Sequence, residues 1–304
     1  MKKTIAIFLS LLLLLGLTAS VGARTASAAI AAPRSGESAE DAVQDAFAKL
    51  CEAESLSYDI GITMELVMKI SAQGVTMNLP INMCMTCGLD MQMDPYLVKG
   101  DVNMDVDMGT YGIQSQHILI YGANDGEKLI TYSSTDEGAT WTVQENGSLH
   151  ALLPGEAFSM IRDHVHDVVR AGTETFQGAK VDVYTGWLEG KYINQVVTAT
   201  GMDGMISEIT GGDETALDTA ELGDIPVTIY IDGDGYPVYY AMDMAEAMKG
   251  MLAVAMQELM GMSEMEGMEI TVDVPVVRGE STLASFNAIE PIVIPEAALN
   301  ASEA

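Results

Sequence analysis

Sulfur-bearing side chains are the most distinctive chemical feature of this sequence, which contains 22 methionines and three cysteines. Residues 83–87 (MCMTC) place two cysteines three positions apart, and further methionines follow at positions 260, 262, 265 and 268. Thiolate and thioether sulfur atoms are the ligands that Cu(I) prefers. The surrounding alternation of apolar and polar residues predicts a strand, in which residues three apart point to opposite faces. We therefore expect Cys87 on an apolar face and Cys84 on a polar one, which makes copper binding a minor hypothesis.

Two acidic motifs suggest other sites but are better explained without a metal or a reaction. Residues 232–235 (DGDG) resemble the start of a calcium loop, which needs further ligands and a terminal Glu at fixed spacing. Only Asp243 follows at a suitable distance, so we interpret residues 232–235 as a tight hairpin turn. Residues 163–167 (DHVHD) fall in a predicted helix, where side chains two apart do not face each other. His164 and His166 are therefore predicted to be solvated residues on a helix face.

No arrangement of residues in the sequence is typical of catalysis. The chain has no nucleophile elbow, no His-Glu-x-x-His zinc motif and no phosphate-binding loop. Its three cysteines do not make a disulfide framework, although one disulfide bond is compatible with the count. We expect a binding protein without enzymatic activity, catalytic residues, resident metal or cofactor.

The elements that would position any site begin with three long strands of alternating polarity. Apolar residues occupy the even positions of residues 58–70, the odd positions of residues 75–93 and most even positions of residues 96–108. This period of two predicts strands with one apolar and one polar face. Typical strands have about 5–6 residues. At about 3.3 Å per residue, a straight strand of about 20 residues would be longer than a compact domain, so these strands must curl. We expect Pro80 and Gly88 to mark bends or bulges in the second strand.

The remaining segments complete a mainly antiparallel α+β fold in residues 38–300, with about eleven strands and four or five helices in one domain. Ser38 with Asp41 predicts a capped helix over residues 39–54, with Cys51 as a small core residue. Further strands are predicted at residues 116–121, 128–133, 140–144, 180–187, 226–231, 236–242, 268–277 and 281–286. Further helices are predicted at residues 156–170, in pieces over residues 189–222, and at residues 243–260, with turns at residues 124–126 and 136–138.

The N-terminus and the net charge indicate an exported protein. Lys2 and Lys3 precede a short apolar run, and the small residues 26–28 (ASA) are typical of signal-peptide cleavage after Ala28. Residues 29–37 then form a predicted linker. Cleavage would take Lys2, Lys3 and Arg24 from the 14 basic residues and leave all 44 acidic ones, a net charge of −33. Such a chain repels nucleic acid, and the mature sequence has no apolar segment of the roughly 20 residues that span a membrane.

Several segments resemble those of one protein family. They are residues 104–108 (MDVDM), 130–141 (ITYSSTDEGATW), 222–244 (LGDIPVTIYIDGDGYPVYYAMDM) and 286–300 (FNAIEPIVIPEAALN), after a helix that leads directly into Tyr58 and Asp59. Together they resemble secreted proteins and lipoproteins of Gram-positive-type bacteria that are similar to the LolA/LppX superfamily. The resemblance implies a curled half-barrel sheet of about eleven antiparallel strands packed over helices on its concave face, with lipid or lipidated cargo between them. No lipoprotein-type cysteine follows the apolar run, so we expect secretion, or retention in the cell envelope by other means.

The first functional hypothesis is a secreted or envelope protein that binds a lipid, another hydrophobic small molecule or an acylated protein. Methionine is flexible and polarizable, and it adapts to irregular ligands. The second hypothesis is an acidic envelope interaction protein with a solid core, and the third is a Cu(I)-binding protein. The predicted lining residues of the apolar cavity are Ile62, Met64, Leu66, Met83, Met85, Met91, Met104, Val106, Met108, Met248, Met251 and Leu252.

Overall fold

The alternating segments form the centre of one open, curled antiparallel sheet. The computed structural model describes residues 38–72, 75–124, 129–146, 154–190, 223–250, 252 and 268–301. The predicted signal peptide, the predicted linker and residues 191–222 of the third predicted helical region lie outside these ranges, as do residues 251 and 253–260 of the predicted helix over residues 243–260.

Eleven strands are hydrogen-bonded in the order β6-β5-β4-β3-β2-β1-β11-β10-β9-β8-β7, each antiparallel to its neighbours. Their bounds are β1 (Ser55–Ala72), β2 (Val75–Met93), β3 (Tyr96–Asp107), β4 (Ile113–Asn124), β5 (Leu129–Ser134), β6 (Thr142–Asn146), β7 (Val165–Phe176), β8 (Ala179–Leu188), β9 (Ile225–Ile231), β10 (Pro237–Asp243) and β11 (Met268–Ala284). The described helices are α1 (Ala39–Cys51), α2 (Pro154–His164), α3 (residues 245–250) and α4 (Glu296–Leu299), with a short 3-10 turn at Gly109–Tyr111. No helix of the described residues is long and apolar enough to cross a bilayer.

The alternation of side chains predicts the two faces of the sheet correctly. Along β2, odd-numbered residues from Ile81 to Cys87 are buried and the even-numbered residues between them are exposed. Met85 lies opposite Ile62 on one side and Met104 on the other, so neighbouring strands present the same apolar face. The main core therefore lies on one side of the sheet, the concave side.

Helices α1 and α2 cover part of this apolar face. Ser38 caps α1 through the predicted reciprocal contacts with Asp41, so the capping box is confirmed. Phe47 of α1 packs against Tyr240 of β10 and against Phe158 of α2, with ring centroids 6.0 and 6.4 Å apart. Cys51 is half-buried against the core. The helices thus anchor the concave core with aromatic contacts.

The prediction of a helix over residues 156–170 is wrong after His164, because Val165 begins β7. The buried residues Phe158, Ile161, Val165 and Val168 recur at helical spacing. A bulge between His166 and Val169 breaks the strand alternation, so that the pattern continues across a change of secondary structure.

Two further predictions about strands are also wrong. The segments 268–277 and 281–286 form one strand, because Gly279 pairs with Ile62 and Met242 within the ladder. The total of eleven strands matches the prediction only because this merger offsets the missed β7.

Pro80 and Gly88 do not interrupt β2. Its register with β1 runs without a shift from the pair Ser55 and Gln92 to the pair Ala72 and Val75. The β3 ladder begins at Asn82, so Pro80 lies where no strand pairs with β2 on that side and the missing N–H is tolerated. The bulge in this part of the sheet lies instead in the pairing of β1 with β11, after Glu65.

Adjacent residues of β2 provide a matched test of the two faces. We expect Met85→Ala to lower the free energy of unfolding by about 2–5 kcal/mol, because it removes buried methylene groups and leaves a cavity. Thr86→Ala, on the exposed face, should cost about 1 kcal/mol or less. Urea unfolding of both variants measures these values, and equal losses would contradict the assignment of faces.

Candidate ligand-binding face

The structure brings most of the predicted lining residues together in the concave core. Met108 is half-buried just after β3, and Met251 lies outside the described residues. The other ten are no more than 5% exposed: Ile62, Met64, Leu66, Met83, Met85, Met91, Met104, Val106, Met248 and Leu252.

Cross-strand pairing explains why these residues meet. Ile62, Met85 and Met104 form one row across β1, β2 and β3, and Met64, Met83 and Val106 form the next. On the other side of β1, the Met244 backbone N–H donates to the Val277 carbonyl at 2.8 Å, and the Asp243 carboxylate accepts from the Ala245 N–H at 3.1 Å. These bonds start α3 against β11 and place Met248 in the same core.

The apolar rows continue beyond the core to the surface. Val75 is 71% exposed and Met77 is 41% exposed, although both belong to the same face of β2 as Met83 and Met85. We call this outer part of the rows the apolar ramp: Met68, Ile70, Val75, Met77, Leu79, Ile270 and Val272. The Tyr111 hydroxyl donates to Met77 Sδ at 3.5 Å and contributes a further exposed ring.

Beyond β3 the concave face becomes partly polar, although Ile118 and Ile120 of β4 still pack against the core. Val106 lies opposite Gln114, Met104 lies opposite Gln116, and Ile120 lies opposite Ser133. Three further polar residues continue this surface into β5 and β6: Thr131, Thr142 and Gln144. The described concave rows of β4, β5 and β6 contain no Asp, Glu, Lys or Arg, although the whole chain has 44 acidic residues. This part of the surface offers hydrogen bonds without charge.

A buried group of hydroxyls, not predicted from the sequence, interrupts the concave core. The hydroxyls of Tyr58 and Tyr240 are hydrogen-bonded, and the Ser281 hydroxyl donates to Tyr58 at 3.1 Å. Burial raises the pKa of both tyrosines above the ordinary value, so both rings stay neutral. Alternation placed Tyr58 on the apolar face, but its partners lie 182 and 223 residues away in sequence.

A cavity of about 250 Å³ lies between α1 and the strands β8 and β9. Its walls include Ala42 and Ala46, but also the ion pair between Arg170 and Asp182, at 2.6 Å. Lys49 also borders it, with its ammonium 4.1 Å from the centre of the Tyr236 ring. None of the predicted lining residues borders this cavity, which is more polar than the predicted one.

The structure confirms that the two cysteines of β2 face opposite sides. Cys84 is exposed, whereas Cys87 is buried beside the methionine rows. Burial, followed by the charges of Asp101 and Asp59, raises the pKa of Cys87 to about 12. Within the described ranges, no group of three or more His, Cys, Asp or Glu residues is placed to hold a metal ion.

The Asp232 motif forms the predicted turn. One carboxylate oxygen of Asp232 accepts from the backbone N–H groups of Asp234 and Tyr236, at 3.0 and 2.9 Å. This oxygen is therefore committed to closing the β9–β10 hairpin.

The prediction for the DHVHD motif is wrong in its geometry. His164 ends α2, but His166 lies on β7 with its Nδ1 3.1 Å from Asp167 and its Nε2 3.5 Å from Asp224. His166 is therefore a strand residue between two carboxylates and not a solvated residue on a helix face.

Thiol accessibility tests the placement of the cysteines. At mildly alkaline pH, we expect a chromogenic disulfide reagent to modify Cys84 rapidly, half-buried Cys51 more slowly and Cys87 only after unfolding, because the thiolate is the reactive form. The Cys84→Ser variant should lose only the fast phase. Retention of that phase, or rapid reaction of Cys87 in the folded protein, would contradict the strand register.

The sequence matches no family model, and no curated protein is significantly similar to it. Similar solved structures include the lipoprotein LppX of Mycobacterium tuberculosis, at 12% identity and a TM-score of 0.40 over 84% of this chain and 98% of LppX. LprF from Mycobacterium bovis gives 13% identity and a TM-score of 0.42 over 86% and 97% of the two chains. A putative outer membrane lipoprotein-sorting protein domain from Vibrio parahaemolyticus gives 10% identity and a TM-score of 0.18 over 81% and 93%.

Proposed function

We propose that this chain is a non-enzymatic binding protein for an apolar molecule, either a lipid or an acyl chain, at the concave face of its sheet. The continuity of the apolar rows carries the proposal. The rows run from buried Met83 and Met85 out to exposed Met77 and Val75 without a polar interruption. A sheet that only closed a core would gain nothing from extending apolar side chains into water.

The apolar ramp offers an energy source for binding. Each ligand methylene that leaves water contributes about 0.8 kcal/mol, and a ligand on the ramp would also cover side chains such as Met77 and Val75. Methionines are flexible enough to pack against chains of different shape. In this proposal, the ligand enters along the ramp and displaces or extends the contacts of Met64, Met83, Met85 and Met104.

The adjacent polar rows indicate how an amphiphilic ligand would lie. Its chain would contact β1, β2 and β3, and its polar end would meet Gln114, Gln116 and the hydroxyls of β5 and β6. Since those rows carry no charge, an uncharged polar group would fit them without losing an ion's hydration.

Export belongs to the same proposal. A signal peptide cleaved after Ala28 would leave an acidic protein outside the membrane, where hydrophobic molecules need a carrier to cross water. The net charge of −33 would keep such a carrier dispersed and away from anionic surfaces. An acylated protein is a second source of such a chain.

One observation favours the alternative of a solidly packed envelope interaction protein. Ten of the predicted lining residues are no more than 5% exposed, so their side chains are already closely packed in the core. Solvent extraction of the purified protein followed by mass spectrometry separates the two functions. Stoichiometric recovery of an apolar molecule supports the binding protein, and its absence together with no uptake of fatty acid supports the alternative.

A matched pair on β2 tests the ramp directly. We expect Met77→Asp to weaken the uptake of a fluorescent fatty acid at least about tenfold, or 1.4 kcal/mol, because it places a charge in the apolar row. Thr76→Asp adds the same charge one residue away on the opposite face, and its affinity should stay close to that of the wild type. Fluorescence titration measures both, and equal affinities in the two variants would contradict entry along the ramp.

A further inference from the structure

The C-terminal segment covers part of the convex face, opposite the proposed lipid site. We call residues 285–293 the strap. The Asn287 backbone N–H donates to the Ser55 carbonyl at 2.8 Å, and the Glu54 N–H donates to Asn287 Oδ1 at 2.6 Å. Ile292 is buried further along. The strap is therefore fixed at both ends, and its middle spans the strands beneath it.

A second cavity, of about 360 Å³, lies between the strap and the sheet. Its floor is a single cross-strand row, because Ser57 pairs with Asp90, Asp90 with Lys99, and Lys99 with Tyr121. The strap supplies the roof, which includes the charged residue Glu290 and the apolar residues Ile289, Pro291 and Val293. The volume falls within the range of about 300–1,000 Å³ found for small-molecule sites.

The charges in this row are not paired as their register suggests. Opposite charges that face each other across antiparallel strands ordinarily interact. Asp90 instead accepts a hydrogen bond from the Ser57 hydroxyl at 2.8 Å. Among the described residues, no ion pair within 4 Å joins Asp90 to Lys99, although both border the same cavity. A positive and a negative group thus face the same space side by side.

The order of groups along the row defines the ligand that would fit. Asp90 lies on β2 and accepts hydrogen bonds, whereas Lys99 and Tyr121 lie on β3 and β4 and donate them. Neighbouring strands are about 4.8 Å apart, and one carbon atom separates the ammonium and carboxylate groups of an α-amino acid. One such molecule would reach both charges, and its side chain would meet the apolar part of the roof.

We propose that the cavity between the strap and the convex face binds a free α-amino acid or a zwitterion of similar size. The ligand carboxylate would accept from Lys99 and Tyr121, and its ammonium would donate to Asp90, with Glu290 nearby in the roof. A simple anion or cation would satisfy only one side of the row. This site is separate from the apolar concave face and does not depend on the lipid-binding proposal.

Thermal-shift measurements followed by calorimetry on the mature protein test this site with a panel of free L-amino acids. At least one should raise the melting temperature of the wild type, and its affinity should fall at least tenfold in both Lys99→Gln and Asp90→Asn. The matched control is Lys69→Gln, which removes a positive charge from an exposed residue of β1 outside the cavity. Its affinity should stay within about twofold of the wild type.

Comparison of ligands on the wild type keeps the test independent of folding in the variants. The N-acetyl and amide derivatives of the best amino acid each lack one charge, and both should bind at least tenfold more weakly. No melting shift with any amino acid would overturn the proposal. Equal binding of the singly charged derivatives, or an equal effect of Lys69→Gln, would also overturn it.

Discussion

The alternation of side chains along three long strands, held in a single register, is the constraint on which the structure depends. β1 and β2 pair without a shift over their whole length, and β3 continues the rows across the sheet. A slip of one residue would expose Met83 and Met85 and bury Asn82 and Cys84. The cost of that exchange fixes the register, which in turn fixes the methionine core, the helices that cover it and the apolar ramp.

The sheet does not keep the same polarity from edge to edge. In β4, β5 and β6 the concave rows combine uncharged polar residues with Ile118 and Ile120, whereas Tyr132 is buried on the convex side and Tyr121 packs against Trp141. At the other edge, the rings of Phe176, Tyr230 and Tyr239 pack against one another on the convex side in edge-to-face and tilted arrangements. Both flanks thus have apolar surface outside the half-barrel. This arrangement leaves an uncharged polar surface beside the apolar face, and it gives the C-terminal segment a surface to pack on.

Local patterns predicted most of the fold because period-two alternation and the Ser38 cap act over a few residues. They failed at β7, where a bulge imitates helical spacing, and at Gly279, where pairing with β1 and β10 overrides a residue typical of strand ends. The apolar face was predictable for the same local reason. Two other features were not predictable, because pairing between segments far apart in sequence forms them. They are the cluster of buried hydroxyls of Tyr58, Tyr240 and Ser281, and the cross-strand row from Ser57 to Tyr121. The exposure of Val75 and Met77 depends on which strands extend past the core, and alternation alone does not determine it.

Photo-crosslinking with a diazirine fatty acid tests the location of the apolar ligand most directly. Peptide mass spectrometry of the crosslinked protein would map the modified residues onto the two faces of the sheet. We expect modification of odd-numbered residues of β2, from Val75 to Met85, and of even-numbered residues of β1, with competition by unlabelled fatty acid. Modification of Thr76, Asn78 and other residues of the convex face, or labelling that unlabelled fatty acid does not reduce, would contradict it.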